Sequence, residues 1–116
     1  RYKEHSLEDA EIVMVSYGSA ARSALHVVRN RRRRGERLGL LELQTLWPFP
    51  KDIVREKCAR AESIVVVELN MGQMMQEVKK AVDHPERVFL ANRIDGVFIT
   101  PTDIRKVLRL IQGKGV

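Results

Sequence analysis

Ile64-Val65-Val66-Val67 places four β-branched residues in succession between Ser63 and Glu68, and this run limits the possible folds more than any other feature of the chain. A strand that is apolar at every position has no face to give to water, so it belongs inside a sheet covered on both sides. Such sheets are parallel, because the helices that connect parallel strands also do the covering. Ile12 to Val15, within Glu11 to Gly18, is a second nearly continuous apolar run and ends in Gly. Leu38 to Thr45 and Arg87 to Asn92 supply two more strands, with Ser63 to Leu69 central.

Between these runs the apolar spacing lengthens to that of a helix. From Ser19 to about Arg33, Ala20, Ala24, Val27 and Val28 share one side while Arg22, His26 and Arg29 face elsewhere; Ser19 is placed to cap this helix and Gly35 to stop it. Leu46-Trp47-Pro48-Phe49-Pro50 must be irregular, since each Pro lacks a donor and restrains its predecessor. Pro50 then opens a helix to about Arg60 with Ile53, Val54, Cys58 and Ala61 inward. Met71, Met74, Met75, Val78, Ala81 and Val82 form the apolar stripe of a third helix that stops before Pro85.

Asp95-Gly96 reads as a turn and Val97 to Ile99 as a short extended piece. Thr100, Pro101 and Asp103 then form a helix start, with Ile104, Val107, Leu108 and Ile111 inward and Gly113 as the stop. Four strands alternating with four helices predict an α/β fold, a three-layer α/β/α sandwich with a mainly parallel sheet of four to five strands, in one domain over residues 1–116.

No apolar run approaches the roughly 18 residues of a membrane-spanning helix, and the N-terminus lacks a secretory signal's apolar stretch, so a soluble protein is expected. Cys58 alone can form neither an internal disulfide nor a CxxC motif, which favours a reducing compartment, by default the cytoplasm. A chain opening at Arg1 rather than Met reads as a piece of a longer polypeptide.

The net charge of +6 gathers at Arg29, Arg31, Arg32, Arg33, Arg34 and Arg37, where cations complement the negative end of the first helix. Nucleic-acid binding is disfavoured, because no aromatic residue interleaves the run and no recognition-helix pattern accompanies it. A solvated helix end is preferred, with docking onto an acidic surface of another subunit between the two.

Ligands of open α/β sheets collect beyond the carboxyl ends of the strands. That nominates Gly18, Ser19, Glu68, Asn70, Gly72 and Gln73 as a candidate anion or interface site. Gly18-Ser19 and Gly72-Gln73 each set a Gly beside a helix N-terminus, yet neither loop is a nucleotide-binding motif, and ordinary strand-to-helix turns are the plainer reading. Glu68 and Asn70 can bind a substrate, orient a neighbouring chain or cap the helix that follows, with capping or an interface preferred. A lone Glu does not define acid–base chemistry, and no catalytic residue is assigned.

His5, His26 and His84 lack ligand spacing, so no metal site is expected. Cys58 fits a buried helix stripe, and the Met cluster a core one. Trp47 and Phe49, held between prolines, either anchor a partner chain or pack over the sheet edge.

The order strand-YGS-helix, strand-LQTLWPFP-helix, strand-VVELNMGQM-helix resembles the C-terminal domain of the transketolase and pyruvate dehydrogenase superfamily. Glu68-Leu69-Asn70-Met71-Gly72-Gln73 is similar to the ELNxGQ stretch of 2-oxoacid:ferredoxin oxidoreductase α chains. The resemblance implies a structural domain that packs against the rest of the α chain and the β subunit. The whole complex would oxidatively decarboxylate a 2-oxoacid with thiamine diphosphate, an iron–sulfur cluster, CoA and ferredoxin, none of these cofactors being bound by this domain. The superfamily domain opens with an antiparallel edge strand, for which Arg1 to Asp9 provides little, so that edge is expected to be absent or frayed.

Overall fold

In the computed structural model, which describes residues 1–69, 72–93 and 98–113, the apolar runs are strands and the segments between them helices. The order is β1 (Tyr2–His5), β2 (Ile12–Tyr17), α1 (Ser19–Arg33), β3 (Leu38–Leu43), α2 (Lys51–Cys58), β4 (Ser63–Glu68), α3 (Gln73–Ala81), a 3₁₀ turn at Pro85–Arg87, β5 (Val88–Asn92) and α4 (Pro101–Ile111). One five-stranded sheet has the order β1-β3-β2-β4-β5. Strands β2 to β5 are parallel and β1 is antiparallel to β3.

The two-residue period of the strands divides the core. Val13, Val15, Leu41, Leu43, Ile64 and Val66 point to one face, where Val54 and Cys58 of α2 and Met74 and Val78 of α3 cover them. Ile12, Met14, Leu38, Leu40, Val65 and Val67 point to the other, beneath Ala24, Val27 and Val28 of α1 and Ile104 and Leu108 of α4. Each fully buried Val, Leu or Ile contributes about 1.5–3 kcal/mol relative to exposure, which explains why runs without a polar member sit in the middle of the sheet.

The expectation of an absent or frayed first edge is corrected. Tyr2 to His5 pair with Leu43 to Leu40. Main-chain hydrogen bonds make this ladder, so it needs no apolar run, and polar side chains suit an edge strand. The side chains still contribute: Tyr2 packs on the α2/α3 core, His5 Nε2 lies 3.0 Å from Glu42 Oε1, and Glu4 holds Lys57 of α2 at 3.1 Å. Beyond β1 the backbone crosses β3 at Gly39, where a Cβ would stand 2.7 Å from the Ser6 carbonyl oxygen and 2.9 Å from Leu7 Cδ2.

Two helix starts also differ from expectation. Gly18, at φ 66°, is the N-cap of α1, and Ser19 is already helical and makes no capping bond; the sharp exit from β2 requires the positive φ one residue earlier. Helix α3 begins at Gln73 after Gly72 at φ 90°, while Asn70 and Met71 lie outside the described residues, as do the Asp95-Gly96 turn and Val97. Phe98 and Ile99 are not a strand. The α4 start is as anticipated: Asp103 N–H donates to Thr100 Oγ1 at 3.3 Å and Thr100 N–H donates to Asp103 Oδ2 at 2.9 Å. These bonds, the Thr100 backbone first, hold the Asp103 carboxyl below its ordinary pKa.

Candidate functional site

Strand β2 has β3 on one side and β4 on the other, so the chain reverses its direction of travel across the sheet between β2 and β4. Loops part at such a point and leave a crevice at the carboxyl edge. A cleft of about 210 Å³ lies there, lined by Tyr17, Gly18, Ser19, Leu46, Glu68 and Met74 among others. Wider hollows, about 480 Å³ beside Arg32 and Asp9 and about 280 Å³ beside Glu36 and Gln112, lie away from that crevice.

Glu68 ends β4 at 6% exposure. Its Oε2 accepts from the Met75 N–H at 3.0 Å and its Oε1 from the Met74 N–H at 3.3 Å. A carboxylate on the first-turn amides of a helix satisfies donors with no intrahelical partner and complements the dipole. Glu68 therefore caps α3, and Gly72 and Gln73 belong to the turn that brings those amides back over it. Gly18 and Ser19 open α1, whose first turn contains no acidic residue.

Two contacts at this end went unforeseen. Ser16, fully buried, donates from Oγ to the Val67 carbonyl at 2.8 Å and fastens β2 to β4 just below the cleft. Ser23 Oγ donates to the Ile99 carbonyl at 2.7 Å and ties α1 to the segment entering α4. The available signal for Ser16 was a lone hydroxyl at the end of an apolar run, since such groups are buried only when bonded.

Trp47 and Phe49 are separated by the structure. Phe49 is 9% exposed and belongs to the α2/α3 core, so of the two readings left open for this pair packing is the one that describes Phe49: the loop between the prolines turns this ring inward. Trp47, joined to Pro48 by a cis peptide bond, stands 66% exposed, and Tyr17 at the cleft is 45% exposed.

The arginine run is also more than a solvated helix end. Arg31, 8% exposed, donates from Nη1 to Glu36 Oε1 at 3.0 Å, and Gln112 Nε2 donates to the same oxygen at 2.9 Å. Arg32 donates to the carbonyls of Leu38 and Ser6, each at 2.8 Å, and grips Asp9. Arg29, Arg33 and Arg34 are exposed, and Arg37 lies 3.8 Å from Glu11.

Burial pushes the Cys58 thiol up to about 12, as befits a core residue. The histidines stay apart, His26 beside Asn30 and His84 beside Glu86. Among the described residues, no three His, Cys, Asp or Glu side chains are grouped to hold a metal, and no helix is long and apolar enough to cross a membrane.

The chain is a three-layer α/β/α sandwich with a crevice beside its second strand, a fold it shares with solved 2-oxoacid:ferredoxin oxidoreductase and transketolase structures. The chain superposes on the 2-oxoglutarate:ferredoxin oxidoreductase of Magnetococcus marinus with a TM-score of 0.84 at 17% identity, covering 95% of this chain and 19% of that one. It superposes on the Campylobacter jejuni transketolase with a TM-score of 0.61 at 12% identity, covering 91% and 17%.

Residues 10–104 match the pyruvate:ferredoxin oxidoreductase core domain II family, and the chain belongs to it. It is 40% identical to the ketoisovalerate oxidoreductase subunit VorB of Methanothermobacter marburgensis over 98% of this chain and 32% of that subunit. It is 38% identical to the 2-oxoglutarate synthase subunit KorA of Methanocaldococcus jannaschii over 86% and 27%. The chain thus spans about a quarter to a third of these curated relatives.

Proposed function

We propose that residues 1–116 are an assembly domain within the α chain of a cytoplasmic 2-oxoacid:ferredoxin oxidoreductase, and that the domain is not catalytic alone. The carrying observation is the pairing, at the carboxyl edge, of an acid bonded to its own helix with exposed Tyr17 and Trp47. Glu68 has both oxygens on α3 amides, which supports capping as its role rather than substrate binding. Large aromatic side chains left exposed at the edge of their own domain are of the kind that anchors partners. The partners are the remainder of the α chain and the β subunit.

In the whole enzyme the 2-oxoacid is decarboxylated with thiamine diphosphate, electrons pass through an iron–sulfur cluster to ferredoxin, and CoA accepts the acyl group. The residues of this chain do not fit the metal-containing groups. A cluster needs several cysteine thiolates and Cys58 is the single Cys, buried in the core. No step is therefore assigned to this domain. VorB and KorA, named for different 2-oxoacids, match it almost equally well, which supports substrate choice residing elsewhere.

Coexpression with the rest of the α chain and the β subunit tests the proposal. A complex that reduces ferredoxin with a 2-oxoacid is expected. Undiminished activity after deletion of this domain would overturn it.

A further inference from the structure

The ladders of the sheet do not end level at its carboxyl edge. Strand β2 is paired with β3 as far as Tyr17 and Leu43, and β4 with β5 as far as Glu68 and Asn92. Between β2 and β4 the pairing stops one residue earlier, at Ser16 and Val67. Tyr17 and Glu68 are therefore the first residues past a fork, each held by the strand on its outer side, and both line the cleft that opens between them. Ser16 closes the last pair below that fork. Fully buried after four apolar residues of β2, it donates from Oγ to the carbonyl of its own ladder partner, Val67, at 2.8 Å. Ile12, Met14 and Ser16 share one face of the strand, and packing alone would be served there by a third apolar side chain, since a buried hydroxyl is tolerated only with a bond. The core does not explain the hydroxyl; the fork does.

We propose that Ser16 is a positioning residue for the carboxyl-edge contact, its bond to Val67 fixing how far β2 stands from β4 at the fork and so where Tyr17 meets a partner chain. The inference rests on the reading of that edge as an assembly surface. Ser16 has no exposed surface with which to touch a partner; it acts through Tyr17, the next residue, whose exposed side chain points to the opposite face of the strand. The two walls of the cleft are held differently. Glu68 is fixed by the Met74 and Met75 amides, so the β4 wall does not depend on β2. Tyr17 has no ladder partner on β4, and the last tie on that side is the Ser16 bond. Contact residues bind well only when the groups behind them lock their place, and a looseness of about 1 Å is enough to lose the gain.

The test titrates the full-length α chain with the β subunit and compares Ser16→Ala, Ser16→Thr, Tyr17→Ala and the Ser16→Ala/Tyr17→Ala double variant. Ser16→Ala is expected to raise the dissociation constant about tenfold. Ser16→Thr, which keeps the hydroxyl, should restore wild-type affinity, and the double variant should bind no more weakly than Tyr17→Ala alone. Such non-additivity is what residues acting through one another give, whereas a purely structural Ser16 would lower the melting temperature and leave the dissociation constant alone. A Ser16→Ala constant equal to that of the wild type while Tyr17→Ala weakens association, or losses that add in the double variant, would overturn the proposal and leave the assembly reading standing. Should Ser16→Ala not fold, Ser16→Cys fills the same site with a weaker donor and is held to the same outcomes. Wild-type affinity in both Tyr17→Ala and Trp47→Ala would instead sink the assembly surface, and this inference with it.

Discussion

Arg32 holds Asp9 through two bonds, Nη2 to Oδ1 at 2.6 Å and Nη1 to Oδ2 at 3.2 Å. The same guanidinium bonds the Ser6 and Leu38 carbonyls, so the end of α1 pins the segment that follows β1 against the sheet. The hydrogen bond to Arg32 holds the Asp9 carboxyl below its ordinary value of 3.8. A depressed folded-state pKa gives a contribution that is whole above 3.8 and disappears as pH falls through the lowered value. Amide exchange should therefore show β1 losing protection below about pH 4 before β2 and β4 do. Arg32→Met should produce the same selective loss at pH 7, and equal protection of β1 in that variant would refute the pin.

Glu68→Ala should lower stability by about 1–3 kcal/mol, because two first-turn amides of α3 lose their acceptor in a buried place. Glu68→Gln keeps one acceptor oxygen and should lose less. Urea denaturation of both variants measures this, and a neutral Glu68→Ala would mean that α3 is not capped from β4.

Trp47 and Phe49 should separate cleanly when each is replaced by Ala. Phe49→Ala removes a core ring and should cost about 3–5 kcal/mol of folding stability. Trp47→Ala should leave the melting temperature nearly unchanged and weaken association with the other subunits by about 2 kcal/mol or more. Titration of the variant domain against its partner chains, beside thermal melts, decides the matter; a normal association constant for Trp47→Ala would remove Trp47 from the interface.

Cys58 should resist thiol reagents at pH 8. Burial places its pKa at about 12, and only the thiolate attacks. Labelling should track global unfolding across a denaturant series, and rapid labelling of the native protein would contradict a core position.

The sequence is most informative where burial is two-sided. Strands β2, β3, β4 and β5 announce themselves because residues such as Val65 and Val66 point to opposite cores and both must be apolar. The α4 cap is legible as well, since Thr100, Pro101 and Asp103 act on one another within four residues. Strand β1 is silent because its ladder is made of main chain and its pairs, His5 with Glu42 and Glu4 with Lys57, lie far apart in sequence. Arg31 escapes for the same reason, its network reaching Gln112. Nothing in periodicity distinguishes Trp47 from Phe49, because an irregular loop between prolines has no fixed face. Glu68 was nominated by its place at a strand end, whereas its bonds to Met74 and Met75 depend on how sharply α3 folds back.

The matched family domain begins at residue 10, while β1 lies at Tyr2–His5. Anyone trimming the gene to the recognisable match would remove the strand that covers β3. The outer amides and carbonyls of Leu40 to Leu43 would be bared, and the product would be prone to pair with copies of itself. A preparation that precipitates when cut at Ala10 and stays monodisperse when begun at Arg1 would be reporting on four residues that lie outside the matched domain.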